Sequence, residues 1–225
     1  WLAEEVGRSS LFRRFPVHVI PYAQPLDVFR PLDRAAIRAS LGIAPDEMVL
    51  AFSAEDLGNR RKGMRCLQEA LATLAQSSLR EKIRMLLLGK RPPESFFQLG
   101  LRADTVGHVS DPGMMAAFYN ASDAVMVPSL EDNSPNVICE AAGCGVAVVA
   151  FAAGGIPEMS RHGETGWLAP VGDVGSLVEG VYWASKARQD PLLSRRGRAL
   201  ALEKWNGREA VGRYTELFSS LQKRG

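Results

Sequence analysis

The sequence predicts one large α/β domain organised around a doubly wound parallel sheet. From residue 48 onward, short apolar runs alternate with longer amphipathic stretches, which is the pattern of parallel strands joined by crossover helices. The runs at 83–89, 124–128 and 146–151 are almost continuously apolar, as expected of strands that helices cover on both faces. The chain of 225 residues is long enough to bury one such core.

The individual strands and helices follow from the same periodicity. Strands are predicted at residues 48–53, 83–89, 105–107, 124–128, 146–151 and 166–169. Between them, apolar residues recur at helical spacing. Two helical faces are predicted in this way, one from Met64, Leu67, Ala70, Leu71 and Leu74 and the other from Met115, Phe118 and Tyr119.

A further helix is predicted at residues 136–143. Ser134 is its expected N-cap, Pro135 its expected first residue, and Gly145 follows its expected end. After Gly172 the chain is predicted to be helical to its end, first around Leu177 and then at 193–205 and 210–221.

The first 45 residues differ in character. The run 17–20 predicts one strand, three prolines at positions 21, 25 and 31 indicate an extended connector, and 34–41 is predicted as a short helix. We therefore interpret 1–45 as an interdomain linker that follows the end of a missing N-terminal domain, 46–190 as the sheet domain, and 191–225 as C-terminal helices.

Composition excludes several classes of protein. The fraction of hydrophobic residues is 46%, the fraction of charged residues is 23%, and a net charge of +2 gives no reason to expect a nucleic-acid partner. Every apolar run falls well short of the roughly 20 residues that span a bilayer. The three cysteines form no CxxC pair and have no His at a metal-ligand spacing, so no metal site is expected and a reducing cytoplasm fits best.

The stretch from 128 to 150 carries the chemistry. A strand is followed by a polar loop with Glu131 and Asp132, then by a helix that contains Glu140. Ligands of open α/β sheets bind at the carboxyl ends of the strands, and Glu140 can lean back toward that edge because helical side chains tilt toward the helix amino terminus. The free N–H groups at the start of the helix favour an anion such as a diphosphate, and carboxylates beside it suit sugar hydroxyls.

At this point the sequence resembles glycosyltransferase family 4. The signature of that family has an acidic residue, then seven intervening residues, then a Glu. Asp132 and Glu140 match it. The resemblance continues in further motifs along almost the whole chain, namely Arg61-Lys62-Gly63, Cys144-Gly145, Gly154-Gly155-Ile156-Pro157-Glu158 and His162-Gly163-Glu164-Thr165-Gly166-Trp167-Leu168.

The resemblance implies a Rossmann-like domain that binds the nucleotide sugar, one half of the two-domain GT-B architecture. It implies transfer of a sugar from a nucleoside diphosphate sugar to an acceptor, with retention at the anomeric carbon, without an essential metal, in glycan or polysaccharide biosynthesis. The acceptor site, and any peripheral membrane contact, would belong to the missing N-terminal domain. This chain alone is therefore expected to bind donor without turning it over.

Roles for individual residues are also implied by the resemblance. Glu140 would hold the ribose, Asp132 the transferred sugar, and Lys62 the diphosphate. Gly107 to Val109 would contact the base. The backbone that would line the sugar and phosphates comes from Asn133, Ser134, Pro135, Asn136 and Val137.

Two positions depart from the family pattern. Asp132 replaces the commoner Glu, with Glu131 beside it as a rival, and Glu55-Asp56 stand where many relatives have a second phosphate-binding Arg, so Arg60 or Arg61 would substitute. A non-catalytic nucleotide-sugar-binding module and a GT-B sugar-nucleotide epimerase or phosphorylase remain alternatives. A dehydrogenase is disfavoured because no GxGxxG follows the first strand.

Overall fold

The predicted sheet is present with all of its predicted strands. A computed structural model describes residues 1–90 and 93–222, and within them one six-stranded sheet has the order β3-β2-β1-β4-β5-β6 with every pair parallel. The α/β fold class is thereby confirmed. The strands are β1 Met48–Asp56, β2 Ile83–Lys90, β3 Arg102–Gly107, β4 Ala124–Val127, β5 Ala147–Phe151 and β6 Gly166–Ala169.

Helices connect and cover these strands. The helix predicted at 136–143 has those bounds, but Pro135, which was expected as its first helical residue, is its N-cap. All five predicted apolar positions of the helix after β1 are buried. The helices are α1 Leu2–Arg8, α2 Arg34–Ser40, α3 Met64–Leu74, α4 Glu94–Phe97, α5 Pro112–Ala121, α6 Asn136–Gly143, α7 Val174–Ala187, α8 Pro191–Lys204 and α9 Gly207–Gln222. No helix among the described residues is both long enough and apolar enough to cross a bilayer.

The strand order places a switch point at the middle of the sheet. The chain proceeds outward from β1 through β2 to β3, then returns and proceeds outward on the other side from β4 through β5 to β6. Connections on the two sides therefore leave the carboxyl ends of β1 and β4 in opposite directions. A crevice opens at such a point, and it is where open α/β sheets bind their ligands.

Two apolar clusters, one on each face of the sheet, form the core. Neighbouring residues of β5 show the alternation, since Val148 belongs to the cluster that contains Tyr119 and Ile138, whereas Val149 belongs to the cluster that contains Leu71. Strands with apolar side chains on both faces match the continuous apolar runs of the sequence. The free cysteines Cys139 and Cys144 are buried, as small apolar residues would be.

Part of the predicted linker is built into this core. Leu26, Phe29 and Ile43 are buried in the cluster that contains Ile138. Arg198 of α8 fastens the segment, because its guanidinium donates to the carbonyl oxygens of Phe29 at 2.6 Å and Leu26 at 2.8 Å. Residues 24–45 thus pack as part of the folded body.

The predicted strand at 17–20 is wrong. The chain there has no regular secondary structure, and the side chains of Val17 and Val19 are exposed. Alternating apolar residues become a strand only when a neighbouring strand supplies ladder partners, and the six-stranded sheet does not include this segment. It runs beside α9 instead, where Arg213 donates to the carbonyl oxygen of Val19 at 3.3 Å.

An ion-pair network lies at the amino ends of the strands. The carboxylate of Asp123, just before β4, is almost fully buried and accepts hydrogen bonds from Arg38 and from the N–H of Val49, both at 2.7 Å. Arg34 forms a second ion pair with it. The network joins α2 to the amino ends of β1 and β4.

Candidate functional site

A cleft of about 480 Å³ opens at the carboxyl edge of the sheet. Its volume lies in the range of small-molecule sites in proteins. The walls come from the ends of β1 and β2, the loop after β3, and helices α5 and α6. The lining residues are Ser53, Ala54, Glu55, Lys62, Leu88, Gly89, His108, Val109, Met115, Tyr119, Pro135, Asn136, Val137 and Glu140.

Glu140 lies in the second turn of α6, with its carboxylate in this cleft. Its Oε2 accepts a hydrogen bond of 2.7 Å from the hydroxyl of Tyr119. No cation of residues 1–90 or 93–222 forms an ion pair with it. Burial raises the pKa of Glu140 above its ordinary value, and the hydrogen bond from Tyr119 only partly opposes that rise. Glu140 is thus a partly desolvated acceptor without a positive partner among the described residues.

Lys62, which lines the same cleft, forms an ion pair with Asp132. The Nζ of Lys62 lies 2.7 Å from Oδ2 of Asp132, whose side chain is largely buried. Lys62 closes a short 3-10 turn, Arg60–Lys62, just before α3. A positive charge next to a helix amino terminus is unfavourable unless an anion is nearby. Asp132 supplies that anion.

The turn that carries Lys62 is fixed to the end of β4. Gly63 has a φ of +75°, and a Cβ there would lie 1.7 Å from the carbonyl oxygen of Pro128, so only glycine fits. The N–H of Leu130 donates to the carbonyl oxygen of Arg61 at 2.9 Å. The loop after β1 and the loop after β4 therefore form one wall.

The Gly154-Gly155 turn supports the acidic loop from behind. A Cβ on Gly154 would lie 2.1 Å from the carbonyl oxygen of Asp132, and one on Gly155 would lie 2.0 Å from that of Asn133. The N–H of Gly155 also donates to the carbonyl oxygen of Asp132 at 3.2 Å. Both glycines are needed for this close approach, while Glu158 is exposed and outside the cleft.

The amino end of α6 faces the cleft without a side-chain cap. The prediction of Ser134 as N-cap is wrong, because the extended Pro135 occupies that position and no side chain caps the helix. Asn136 is therefore the first helical residue. N–H groups in the first turn of a helix lack intrahelical acceptors and carry the positive end of the helix dipole. The N–H of Ile138 already donates to the carbonyl oxygen of Pro135 at 3.0 Å, which leaves those of Asn136 and Val137 for an anionic ligand in the cleft.

The structure brings together half of the residues predicted for the site. Lys62, Val109 and Glu140, with the helix start at Pro135, Asn136 and Val137, line one cleft. Asp132 reaches it through Lys62. The others predicted, which do not line it, are Arg61, Gly107, Glu131, Asn133 and Ser134. The guanidinium of Arg61 is exposed and lies 3.5 Å from the carbonyl oxygen of Glu131.

Sequence reasoning missed the polar group that contacts Glu140. Tyr119 was predicted on an apolar helical face with Met115 and Phe118, where it reads as a core residue. Its ring is fully buried, yet its hydroxyl contacts Glu140. Burial raises the pKa of the phenol well above its ordinary value, so the group keeps its proton and acts as donor. A hydroxyl on a buried face needs a partner, and that was the available signal.

Sequence comparison relates this chain to known sugar transferases. Residues 48–186 match the family described as Glycosyl transferases group 1. A D-inositol 3-phosphate glycosyltransferase of Actinosynnema mirum is 37% identical over 167 residues, which cover 68% of this chain and 39% of that protein. One from Rhodococcus jostii is 31% identical over 199 residues, 83% of this chain and 41% of that protein. The chain spans less than half the length of these relatives.

Solved structures share the fold. A sucrose-phosphate synthase from Thermosynechococcus elongatus superposes with a TM-score of 0.83 at 25% identity, covering 99% of this chain and 57% of that one. Anabaena Alr3699/HepE in complex with UDP gives 0.74 at 22% identity, covering 92% and 57%. The C-terminal domain of LpcC from Francisella tularensis gives 0.69 at 19% identity and is covered completely, against 82% of this chain.

Proposed function

The chain belongs to the glycosyl transferases group 1 family, and on that premise we propose that its cleft binds the nucleoside diphosphate sugar of a sugar-transfer reaction. One observation carries the proposal. A single cleft at the switch point of the sheet is lined by a lysine, by an uncapped helix amino end and by a partly buried carboxylate that pairs with no cation in the described part of the chain. The first two suit a diphosphate, and the third suits a hydroxylated sugar.

Each part of the donor would meet a different wall. Glu140 would accept from the ribose, while Val109 and Leu88, the more apolar side of the cleft, would contact the base. The diphosphate would lie between Lys62 and the amino end of α6. Asp132, which pairs with Lys62 in the free protein, would be released toward the transferred sugar when the lysine turns to the phosphates.

We propose that this domain contributes orientation and charge stabilisation to the reaction. The bond between the anomeric carbon and the diphosphate oxygen breaks, an acceptor hydroxyl oxygen bonds to that carbon with retention of configuration, and the hydroxyl proton passes to the departing diphosphate. Lys62 and the helix dipole would stabilise the charge on the departing diphosphate without an essential metal. The acceptor site would lie in a further domain, and the product would be a cytoplasmic glycan or polysaccharide intermediate.

Ligand-induced stabilisation tests the proposal directly. We expect one of UDP, GDP or ADP, and its sugar conjugates, to raise the melting temperature, since a ligand at a hundred times its Kd adds about 2.7 kcal/mol. Glu140→Gln should keep the fold and weaken binding by about 1.5–3 kcal/mol, because only a charged acceptor is lost. If no nucleoside diphosphate stabilises the wild-type chain, the proposal is wrong.

A second candidate is a nucleotide-sugar-binding module without catalytic activity. Glu55 favours it, because this carboxylate lines the same cleft as Lys62, where a negative charge weakens attraction for a diphosphate. Glu55→Arg should then tighten nucleoside diphosphate binding measurably. Turnover by a longer version of the protein that retains Glu55 would exclude this candidate.

A further inference from the structure

Tyr119 joins the core of the domain to the floor of the cleft. Its ring is fully buried, and the ring centroid lies 6.2 Å from that of Phe29 in a tilted contact. Its hydroxyl emerges among the cleft residues and donates to Glu140. A side chain packed in this way cannot turn aside, so the donor atom has a fixed position relative to the sheet.

Packing does not explain why this residue has a hydroxyl. A phenylalanine would fill the same space beside Phe29, and burying a hydroxyl is unfavourable unless it is hydrogen-bonded. The main compensating contact is the bond of 2.7 Å to Oε2 of Glu140, and the side chain of Ser53 also interacts with the hydroxyl. Among the described residues, no other side chain or backbone group hydrogen-bonds the Glu140 carboxylate. One carboxylate oxygen is therefore held and the other is left for a ligand.

We infer that Tyr119 is a positioning residue that fixes Glu140 so that the cleft distinguishes ribose from deoxyribose. The inference rests on the proposed function, in which Glu140 meets the ribose. With Oε2 held, Oε1 presents a single acceptor at a defined place. A ligand that lacks the matching hydroxyl leaves a partly buried carboxylate unpaired, which is the situation in which hydrogen-bonding sites reject analogues most strongly.

The test measures affinity for matched pairs of ribose and deoxyribose ligands. UDP, GDP and ADP are titrated calorimetrically into the full 225-residue chain, each beside its 2′-deoxy and 3′-deoxy counterparts. We expect the wild-type chain to prefer at least one ribonucleotide over a deoxy counterpart by about tenfold or more, the effect of one hydrogen bond to a charged group. Tyr119→Phe should lower that ratio severalfold and Glu140→Gln should abolish it.

Two controls separate positioning from general damage. Tyr182→Phe, on α7 in the opposite apolar cluster, removes the same atom away from the cleft and should leave the ratio unchanged. In the double variant of Tyr119 and Glu140, the Tyr119→Phe change should have no further effect on the ratio, since it acts through Glu140. Loss of packing alone would weaken ribose and deoxyribose ligands equally and would overturn the inference.

The pH dependence of ligand binding is a second test of the role of Tyr119. The hydrogen bond from Tyr119 stabilises ionised Glu140 and so opposes the upward shift of its pKa. Without it the pKa should rise further, and the loss of affinity on acidification should begin at a higher pH in Tyr119→Phe. An unchanged midpoint would overturn the inference.

The outcomes also distinguish the inference from the proposal beneath it. If the wild-type chain binds none of the three diphosphates, or binds ribose and deoxyribose forms equally, the assigned role of Glu140 fails and the inference fails with it. If wild type discriminates, Glu140→Gln loses discrimination and Tyr119→Phe retains it in full, the proposed function stands and only the role of Tyr119 is wrong.

Discussion

The two ends of the same sheet differ in how fully a buried carboxylate is paired. At the amino ends of the strands, the carboxylate of Asp123 is paired with Arg34 and Arg38, and it also accepts a backbone hydrogen bond. At the carboxyl ends, Glu140 is partly buried, and its one hydrogen-bond donor within residues 1–90 and 93–222 is the neutral hydroxyl of Tyr119. The carboxylate of Asp123 has its hydrogen-bond and ion-pair partners within the protein, whereas the carboxylate of Glu140 has an oxygen left to accept a hydrogen bond from a ligand.

This difference separates charges that hold the fold from charges that serve a site. A buried ion that is fully partnered leaves nothing for a ligand to bind, and removing one partner damages the protein. A buried acceptor with an unused oxygen lowers stability slightly and gains its remaining partner on binding. Lys62 and Asp132 lie between these cases, because they form an ion pair with each other and, under the proposed function, Lys62 would exchange Asp132 for a phosphate.

The largest expected effect concerns turnover. If the carboxyl edge is half of an interdomain cleft, this chain should bind donor and fail to transfer sugar, whereas a version with an upstream domain should do both. Orientation of two substrates is worth about 7–11 kcal/mol in favourable cases, and a half-cleft forfeits most of it. Sugar transfer and donor hydrolysis should be measured for both proteins. Equal turnover would show that the chain already holds a complete site.

The next effect concerns stability at the amino ends. Asp123→Ala should lower the free energy of unfolding by about 3–5 kcal/mol, because Arg38 is left buried without its carboxylate. Asp104→Ala is the matched control, since its ion pair with Arg84 is partly exposed and should cost about 1 kcal/mol or less. Urea unfolding measures both. Comparable losses for the two variants would contradict the structural role of Asp123. Glu140→Gln, at the other end of the sheet, should leave the free energy of unfolding unchanged or raise it.

Much of the fold could be predicted because apolar periodicity reports it directly. Each predicted strand from residue 48 onward is present, although β1 extends to Asp56 and β3 begins at Arg102, beyond the predicted limits. The bounds of α6 follow from Pro135 and Gly145. The strand at 17–20 failed because local pattern carries no information about whether a ladder partner exists.

The site could be predicted only in part. Acidic spacing and resemblance pointed to Glu140 and Lys62, but the contact between Lys62 and Asp132 joins residues 70 positions apart and depends on how two loops meet. Tyr119 has the sequence pattern of a core aromatic residue. A buried hydroxyl signals that some partner exists, but the sequence alone did not identify Glu140 as that partner. Ser134 was predicted as the N-cap because serine is a favoured residue at that position. In the structure the N-cap is Pro135, since the backbone becomes helical one residue later.

A smaller effect is expected at the Lys62–Asp132 pair. Lys62→Ala should weaken UDP binding by about 1–2 kcal/mol while leaving uridine binding unchanged, because only the diphosphate presents charge to the lysine. Breaking the existing pair offsets part of the gain, which keeps the effect modest. Calorimetry with both ligands is the measurement, and equal losses for UDP and uridine would mean that Lys62 acts through folding.

Asp132→Asn sharpens the same point. The change frees Lys62 in the unliganded protein, so UDP affinity should stay equal or rise, while the preference for a UDP sugar over UDP should fall. Loss of UDP affinity on this substitution would contradict an exchange of partners by Lys62.

The smallest expected effect is a pH dependence of opposite sign at the two ends. Burial alone would raise the pKa of Glu47, but hydrogen bonds from the N–H of Ala44 and from Arg102, with the charge of Arg84, lower it below its ordinary value. A depressed pKa in the folded state means that Glu47 contributes stability above its unfolded pKa, and that this contribution is lost as pH falls through the folded pKa. Burial raises the pKa of Glu140, so its contribution has the reverse dependence. It is fully present below the unfolded pKa and is lost as pH rises through the folded one.

Unfolding free energies of wild type, Glu47→Gln and Glu140→Gln between pH 7 and pH 4 measure both contributions. On acidification the stability difference between wild type and Glu47→Gln should shift against wild type, because the favourable Glu47 carboxylate becomes protonated. The difference between wild type and Glu140→Gln should shift in favour of wild type, because protonation removes an unpaired buried charge. If both stability differences shift with the same sign, the carboxylates at the two ends of the sheet do not differ in how fully they are hydrogen-bonded and ion-paired. The division between structural and ligand-binding charge would then be wrong.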